Sequence, residues 1–282
     1  MKLKNLRKPE RRARYLSFIK KKLVGIVGSR DNSKPIFIAG FQRSGTTMLI
    51  DVFYLHPEVE IYNELPNSKV FYDYRVRSIQ VLDSTVQKSY YPFVLYKVIC
   101  DSHILLSFKK AFPEAKFIWM YRSAEDNADS RLRKFPQGTR SIRLIAQDKP
   151  GAGWLAEGLS PEMLEIIKEL TTKDLTDFDY ACLTWWVRNK LFFELGLEQL
   201  SSVRLVQYEQ LVQNPKDVMN DIFDWLGLQK SDSSLRFVHA RSVNKPDLPK
   251  LHPDVATLCN GLKDKLDKVW YDTWHAERDR AI

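Results

Sequence analysis

The 282 residues are 44% apolar and 12% aromatic, enough for a packed core, and they hold no run of about 18 apolar residues that would cross a bilayer. The formal charge of +9 sits almost wholly in residues 1–22, with ten Lys or Arg and one acid, which leaves 34 residues of each sign in the remainder. An electrically balanced body excludes nucleic-acid binding driven by bulk charge. Cys100, Cys182 and Cys259, odd in number and far apart, argue against a disulfide framework or zinc site and for a reducing compartment, the cytoplasm.

The basic segment predicts a helix within residues 1–30, with Tyr15, Leu16, Ile19, Leu23, Ile26 and Val27 on one face. Two readings are open for it: peripheral contact with an anionic membrane surface, or packing on its own domain with a solvated basic face. It lacks the apolar stretch of a signal peptide.

Pro35 to Ala39 reads as a short buried strand and Thr46 to Leu55 as a helix, separated by Gly40-Phe-Gln-Arg-Ser-Gly-Thr-Thr47. Strand, glycine-bounded loop and helix start form a phosphate cradle, in which backbone and side-chain groups from Arg43, Ser44, Gly45, Thr46 and Thr47 converge on an anion. The spacing G-x4-G-T-T lacks the lysine of the nucleotide-triphosphatase loop, and Arg43 supplies the positive charge instead.

A turn at His56-Pro57 leads to an extended piece ending near Asn63-Glu64, and Asn67 to Gln87 is expected to be mixed, largely helical. Phe93 to Val98 and Ala115 to Arg122 read as buried strands flanking a helix over His103 to Phe112, a rhythm that implies a parallel sheet. From Lys134 to about Leu159 periodicity is lost, and we expect an excursion from the sheet that serves as a lid or acceptor-binding segment. Ser160-Pro161-Glu162 opens a helix, Thr176 to Leu195 is a longer one, Val203 to Gln207 is a strand, and Asn214-Pro215 opens a helix that Gly227 closes. The expected architecture is α/β: a P-loop-like three-layer α/β/α fold with a central, mainly parallel sheet and a helical lid insertion. We expect one domain over 1–282, with the basic helix at 1–30 and the insertion and acceptor region at 134–200.

A second anion site is expected where the Phe117 to Met120 strand ends, with Arg122 following it and Ser130 eight residues on, at the edge where open α/β sheets bind ligands. Two anion sites on neighbouring strands suit a nucleotide with two separate phosphate groups.

These motifs resemble the sulfotransferase family, which uses 3′-phosphoadenosine 5′-phosphosulfate. "FQRSGTT" is similar to its phosphosulfate loop, in the arginine form of tyrosylprotein and Golgi-type members, and "FIWMYRSAEDNADS" to its 3′-phosphate motif through Arg122 and Ser130. The "HPEV" turn with Glu64 eight residues after His56 resembles the segment that supplies the catalytic base in tyrosylprotein sulfotransferases, and "VQYEQLVQNPKDVMNDIFDWLGL" the family's late strand and helix. The lysine-threonine-histidine segment of cytosolic members is absent: the corresponding strand reads "YKVICDS", which retains Lys97 but no histidine. The resemblance therefore implies Glu64 as base, Arg43 as the group facing the leaving phosphate, and a late loop with Ser242 and Lys245 over the cofactor. Lys97 either bridges the leaving oxygen and the sulfuryl group or is an ordinary snorkelling lysine, and Tyr208 either approaches the nucleotide or is a core residue.

The expected reaction is sulfuryl transfer to an acceptor hydroxyl on a sugar, lipid headgroup or phenol, without a metal, since His56, His103, His239, His252 and His275 show no ligand spacing. Two other classes fit less of the sequence. A phosphotransferase with a modified loop would need magnesium and ATP, and a membrane-attached nucleotide-binding module would tolerate loss of Glu64.

Overall fold

The computed structural model describes residues 33–54, 56–231, 235, 238 and 247–278. The basic segment 1–30, Ser242 and Lys245 lie outside the described residues.

Five strands, β1 (Lys34–Gly40), β2 (Val59–Tyr62), β5 (Phe93–Lys97), β6 (Lys116–Tyr121) and β7 (Val203–Gln207), form one sheet in the order β2-β5-β1-β6-β7, and every pairing in it is parallel. Successive side chains of a strand point to opposite faces. In β1, Phe37 and Ala39 enter one core with Tyr96, Phe117 and Trp119, while Ile36 and Ile38 enter another with Leu95, Ile118 and Met120. Helices cover both faces, so the inner strands β1, β5 and β6 read as largely continuous apolar runs. The first core is closed by α2 (Ile79–Gln87), α3 (Leu105–Ala111), α4 (Ala124–Lys134), α5 (Arg140–Ala146), α6 (Pro161–Leu170) and α7 (Asp177–Glu194). The second is closed by α1 (Thr46–Phe53), α8 (Tyr208–Gln213) and α9 (Pro215–Leu226), and α10 (Pro253–Arg278) touches both. This is the expected three-layer arrangement.

Local chemistry sets the ends of several helices. Ser160 Oγ accepts from Met163 N–H at 3.3 Å ahead of Pro161, and Thr176 and Asp179 form a reciprocal capping box. Gly227 stops α9 in the left-handed region.

Two expectations need correction. Asn67 to Gln87 is not largely helical: β3 (Phe71–Tyr72) and β4 (Arg75–Val76) make an antiparallel hairpin, and only α2 is helical. Its turn residues Asp73 and Tyr74 both have positive φ, 45° and 63°, a mirror-image turn normally signalled by Asn or Gly. The stretch after Lys134 contains α5, which pairs with α6 and α7 through Ile142 and Ile145. As expected, α9 opens at Pro215 and ends at Gly227, while Asn214 Nδ2 donates to Gln210 Oε1 at 3.0 Å.

Candidate active site

β1, β5, β6 and β7 end at the same edge of the sheet, and all the described residues expected at the site gather there. Gly40 leaves β1 with φ 114°, and a Cβ at this position would stand 2.2 Å from Met120 O on β6, so only glycine fits. Ser102 Oγ fixes the same residue from the other side, donating to Gly40 O at 3.1 Å. Arg43 has φ 70° and Gly45 φ 87°, a left-handed pair that turns the chain into α1. The first-turn N–H groups of α1 then have no acceptor within the helix and point out of its N-terminus. Ser44 differs from expectation: it is fully buried, its N–H donates to Phe41 O and its hydroxyl accepts from Asn127 Nδ2 at 3.0 Å. Its side chain therefore braces the loop from beneath.

Arg43 Nε donates to Ser130 Oγ at 3.0 Å, so the two expected anion sites share a wall. Arg122, 3% exposed, pairs with Asp126 at 3.3 Å and lies with its guanidinium carbon 4.6 Å from the centre of the Tyr208 ring. The same ring limits Gly45, where a Cβ would fall 2.4 Å from Tyr208 Cδ2. Tyr208 is thus buried and also part of the site's floor. Partial burial, then repulsion from Arg122 and Arg133, lowers the Arg43 pKa from its ordinary value. Cations held together against that repulsion make a site that favours negative charge.

On the opposite flank, Lys97 Nζ lies 3.1 Å from Glu64 Oε1 and 3.4 Å from Thr47 Oγ1. Glu64 Oε2 accepts from the Ile99 N–H at 3.2 Å. Burial raises the Glu64 carboxyl above the ordinary range, against the opposing pull of Lys97 and the N–H groups of Ile99 and Cys100. A carboxylate held near a cation yet biased toward protonation is suited to take a proton. Beside it, Asp101 anchors the β3–β4 hairpin by accepting from Val76 N–H at 2.7 Å and pairing with Arg75, whose other nitrogens hold both oxygens of Glu157 at 2.9 Å.

The model for the sulfotransferase domain family matches residues 33–246. This chain belongs to that family. Among solved structures, the sulfotransferase domain from the curacin biosynthetic pathway is 16% identical to this sulfotransferase, with 83% of this chain and 99% of that one covered at a TM-score of 0.52, a likeness of fold. A sulfotransferase from Alicyclobacillus acidocaldarius is 17% identical over 86% of this chain and 96% of its own, at a TM-score of 0.44. A mouse sulfotransferase complexed with PAP is 16% identical over 79% of this chain and 69% of its own, at 0.41. No curated protein matches the chain.

Residues that the sequence did not single out brace this candidate site. Asn127 donates to Gln42 O at 2.9 Å as well as to Ser44. Arg131 donates to Gln42 Oε1 at 2.9 Å. Glu209 Oε1 accepts from Ser123 N–H at 3.0 Å, at the start of α4. Their signal is weak in sequence because each acts on backbone or on a neighbouring loop. Among the described residues, no cluster of three or more His, Cys, Asp or Glu could hold a metal ion, and no helix is long and apolar enough to cross a membrane.

Proposed function

We propose that this sulfotransferase draws its sulfuryl group from 3′-phosphoadenosine 5′-phosphosulfate and passes it to a hydroxyl of a sugar, lipid headgroup or phenol, with no metal ion. The observation that carries this reading is the contact of Arg43 with Ser130, which joins two anion-holding clusters across one wall. Such a wall suits a nucleotide phosphorylated at two separate positions better than a magnesium triphosphate, for which this loop lacks the lysine. The missing Cβ of Gly45 lets the Tyr208 ring pack directly on the loop, so the ring and the loop form one surface for the nucleotide. The arginine form of the loop, with Glu64 as a carboxylate base, supports a reading akin to tyrosylprotein and Golgi-type members.

When bound, the donor supplies a sulfur atom whose bond to the 5′-phosphate oxygen breaks as the bond to the acceptor oxygen forms. Glu64 accepts the acceptor's proton and later releases it to water. Arg43 and the first-turn N–H groups of α1 hold the charge that grows on the departing phosphate. Lys97 opposes the burial that raises the Glu64 pKa and is close enough, through Thr47, to face the bond being broken. Arg122, Ser130 and Tyr208 hold the distal phosphate and the nucleoside.

A thermal-shift series tests the proposal. Adenosine 3′,5′-bisphosphate should raise the melting temperature far more than AMP, EDTA should leave the effect intact, and ATP with magnesium should do little. Stabilisation by magnesium-ATP with none by the bisphosphate would overturn it in favour of phosphoryl transfer.

A further inference from the structure

Between the loop and the α4–α5 connection opens a cavity of about 560 Å³, within the usual size of a small-ligand site. Its walls include Gln42 from the loop, Arg131 and Phe135 at the end of α4, Gln137, Ser141 and Trp154. Lys134 stands at its mouth, exposed, and no carboxylate lines it.

Three features point to one kind of occupant. First, the charge is one-sided. Arg131 is 4% exposed, its Nε has no hydrogen-bond partner, and among the described residues neither it nor Lys134 has an ion-pair partner. Burial alone drops the Arg131 pKa to about 10, and a cation desolvated without a carboxylate favours an incoming anion. Second, the lining alternates flat apolar faces, Trp154 and Phe135, with amide and hydroxyl groups from Gln42, Gln137 and Ser141. The C–H face of a pyranose packs on such rings while its hydroxyls meet the amides. Third, the cavity adjoins the chemistry. Gln42 precedes Arg43, and Trp154 packs on Phe41 with ring centres 6.4 Å apart and sits 4.8 Å from the Arg188 guanidinium. The rim from Lys134 to Gln137 is exposed, so a ligand longer than one ring can continue into solvent. A small phenol would call for an enclosed apolar slot.

We infer that this cavity is the acceptor subsite and that it takes a saccharide bearing an acidic group, a carboxylate or a sulfate, with Lys134 and Arg131 selecting the charge and Trp154 the ring. The inference rests on the sulfotransferase reading above and names the acceptor class for it.

The test measures binding without turnover. Calorimetric titrations of uronate-containing tetrasaccharides of the hyaluronan, chondroitin and heparosan types, and of their carboxyl-reduced forms, would be run on the full chain with and without adenosine 3′,5′-bisphosphate. At least one acidic tetrasaccharide should bind more tightly than its reduced form, and its affinity should fall with added salt. Lys134→Ala, an exposed change that leaves the fold intact, should weaken the acidic ligand about fivefold, the size of a partly exposed charge interaction. The same change should leave the reduced ligand and the bisphosphate within about twofold. Equal binding of acidic and reduced forms, or binding of neither, would overturn the inference. So would a loss of bisphosphate affinity in Lys134→Ala, which would assign the cavity to the nucleotide. A wild-type chain that binds the acidic tetrasaccharide but no bisphosphate would support the subsite and count against the donor instead.

Discussion

Lys97 Nζ stands 3.1 Å from Glu64 Oε1, and each side chain is only 10% exposed. Lys97 pulls the Glu64 carboxyl down against the larger effect of burial, which leaves its pKa above the ordinary value. Glu64→Gln preserves shape but cannot take a proton. Turnover should drop by about 10²-fold or more, with bisphosphate affinity changed by less than about tenfold. Steady-state kinetics beside a thermal-shift titration decides it, and a variant that kept most of its turnover would move proton removal to another group.

The pH profile follows from the same carboxylate. The base works deprotonated and its pKa is raised from the ordinary 4.5, so kcat/KM should fall as pH drops through a value above that of an exposed glutamate. Glu64→Gln should flatten this acid limb. An acid limb unchanged in position in the variant would assign it elsewhere.

Arg43 and Arg122 should fail in different ways. Arg43 faces the loop and is exposed, so Arg43→Ala should lower kcat at saturating donor by about 10²-fold, with little loss of stability. Arg122 is buried, pairs with Asp126 and underlies Tyr208. Arg122→Ala should therefore weaken the preference for the bisphosphate over 5′-AMP and also lower stability by about 3 kcal/mol, while sparing more of kcat. Equal losses of kcat in the two variants would contradict this division.

The two loop glycines should also differ. Gly40→Ala sets a Cβ 2.2 Å from a backbone oxygen of the neighbouring strand, which nothing short of moving β6 relieves, and should cost several kcal/mol. Gly45→Ala meets the Tyr208 ring at 2.4 Å, and the ring can be removed. Stability lost in Gly45→Ala should partly return in the double variant with Tyr208→Ala, and an additive double-mutant cycle would refute the coupling.

Asp101 and Glu157 both hold Arg75, in different solvent. Asp101 is 3% exposed and Glu157 is 41% exposed. Asp101→Asn should cost about 3 kcal/mol, and Glu157→Gln about 1 kcal/mol or less. Arg75 lowers the Glu157 pKa from its ordinary 4.5, so its contribution is present above that value and is lost as pH falls through the lowered one. Denaturation of wild type and Glu157→Gln should converge in acid.

The sequence carried much of this because β1, β5 and β6 are apolar on both faces and Gly40, Arg43 and Gly45 lie within six consecutive residues. Arg122 and Ser130 were expected at the sheet edge from their eight-residue interval across the start of α4, and Glu64 from the resemblance of the segment that follows His56. What was not legible depends on contacts across the chain. The Asp73-Tyr74 turn has no Gly or Asn to announce it and is fixed by Arg75 meeting Asp101 and Glu157. Helix α5 is only seven residues long, and its Ile142 and Ile145 find partners on α6 and α7. Helix α10 could have been read: Val255, Cys259, Leu262 and Leu266 follow helical spacing and are all buried. Arg131 looked like one more surface cation, and only its approach to Gln42 shows otherwise.

Asn127 clasps both Gln42 O and Ser44 Oγ from α4, while Ser102 clasps Gly40 from the segment after β5. The loop is thus riveted to two separate elements before any nucleotide arrives. Little conformational entropy remains to be lost when the donor docks, so its affinity should come mainly through a slow departure and not through a folding step on arrival. Backbone amides of residues 40–47 should accordingly exchange with deuterated solvent almost as slowly in the empty protein as in the bisphosphate complex. In Asn127→Ala the empty loop should exchange quickly and slow down only when the bisphosphate is added.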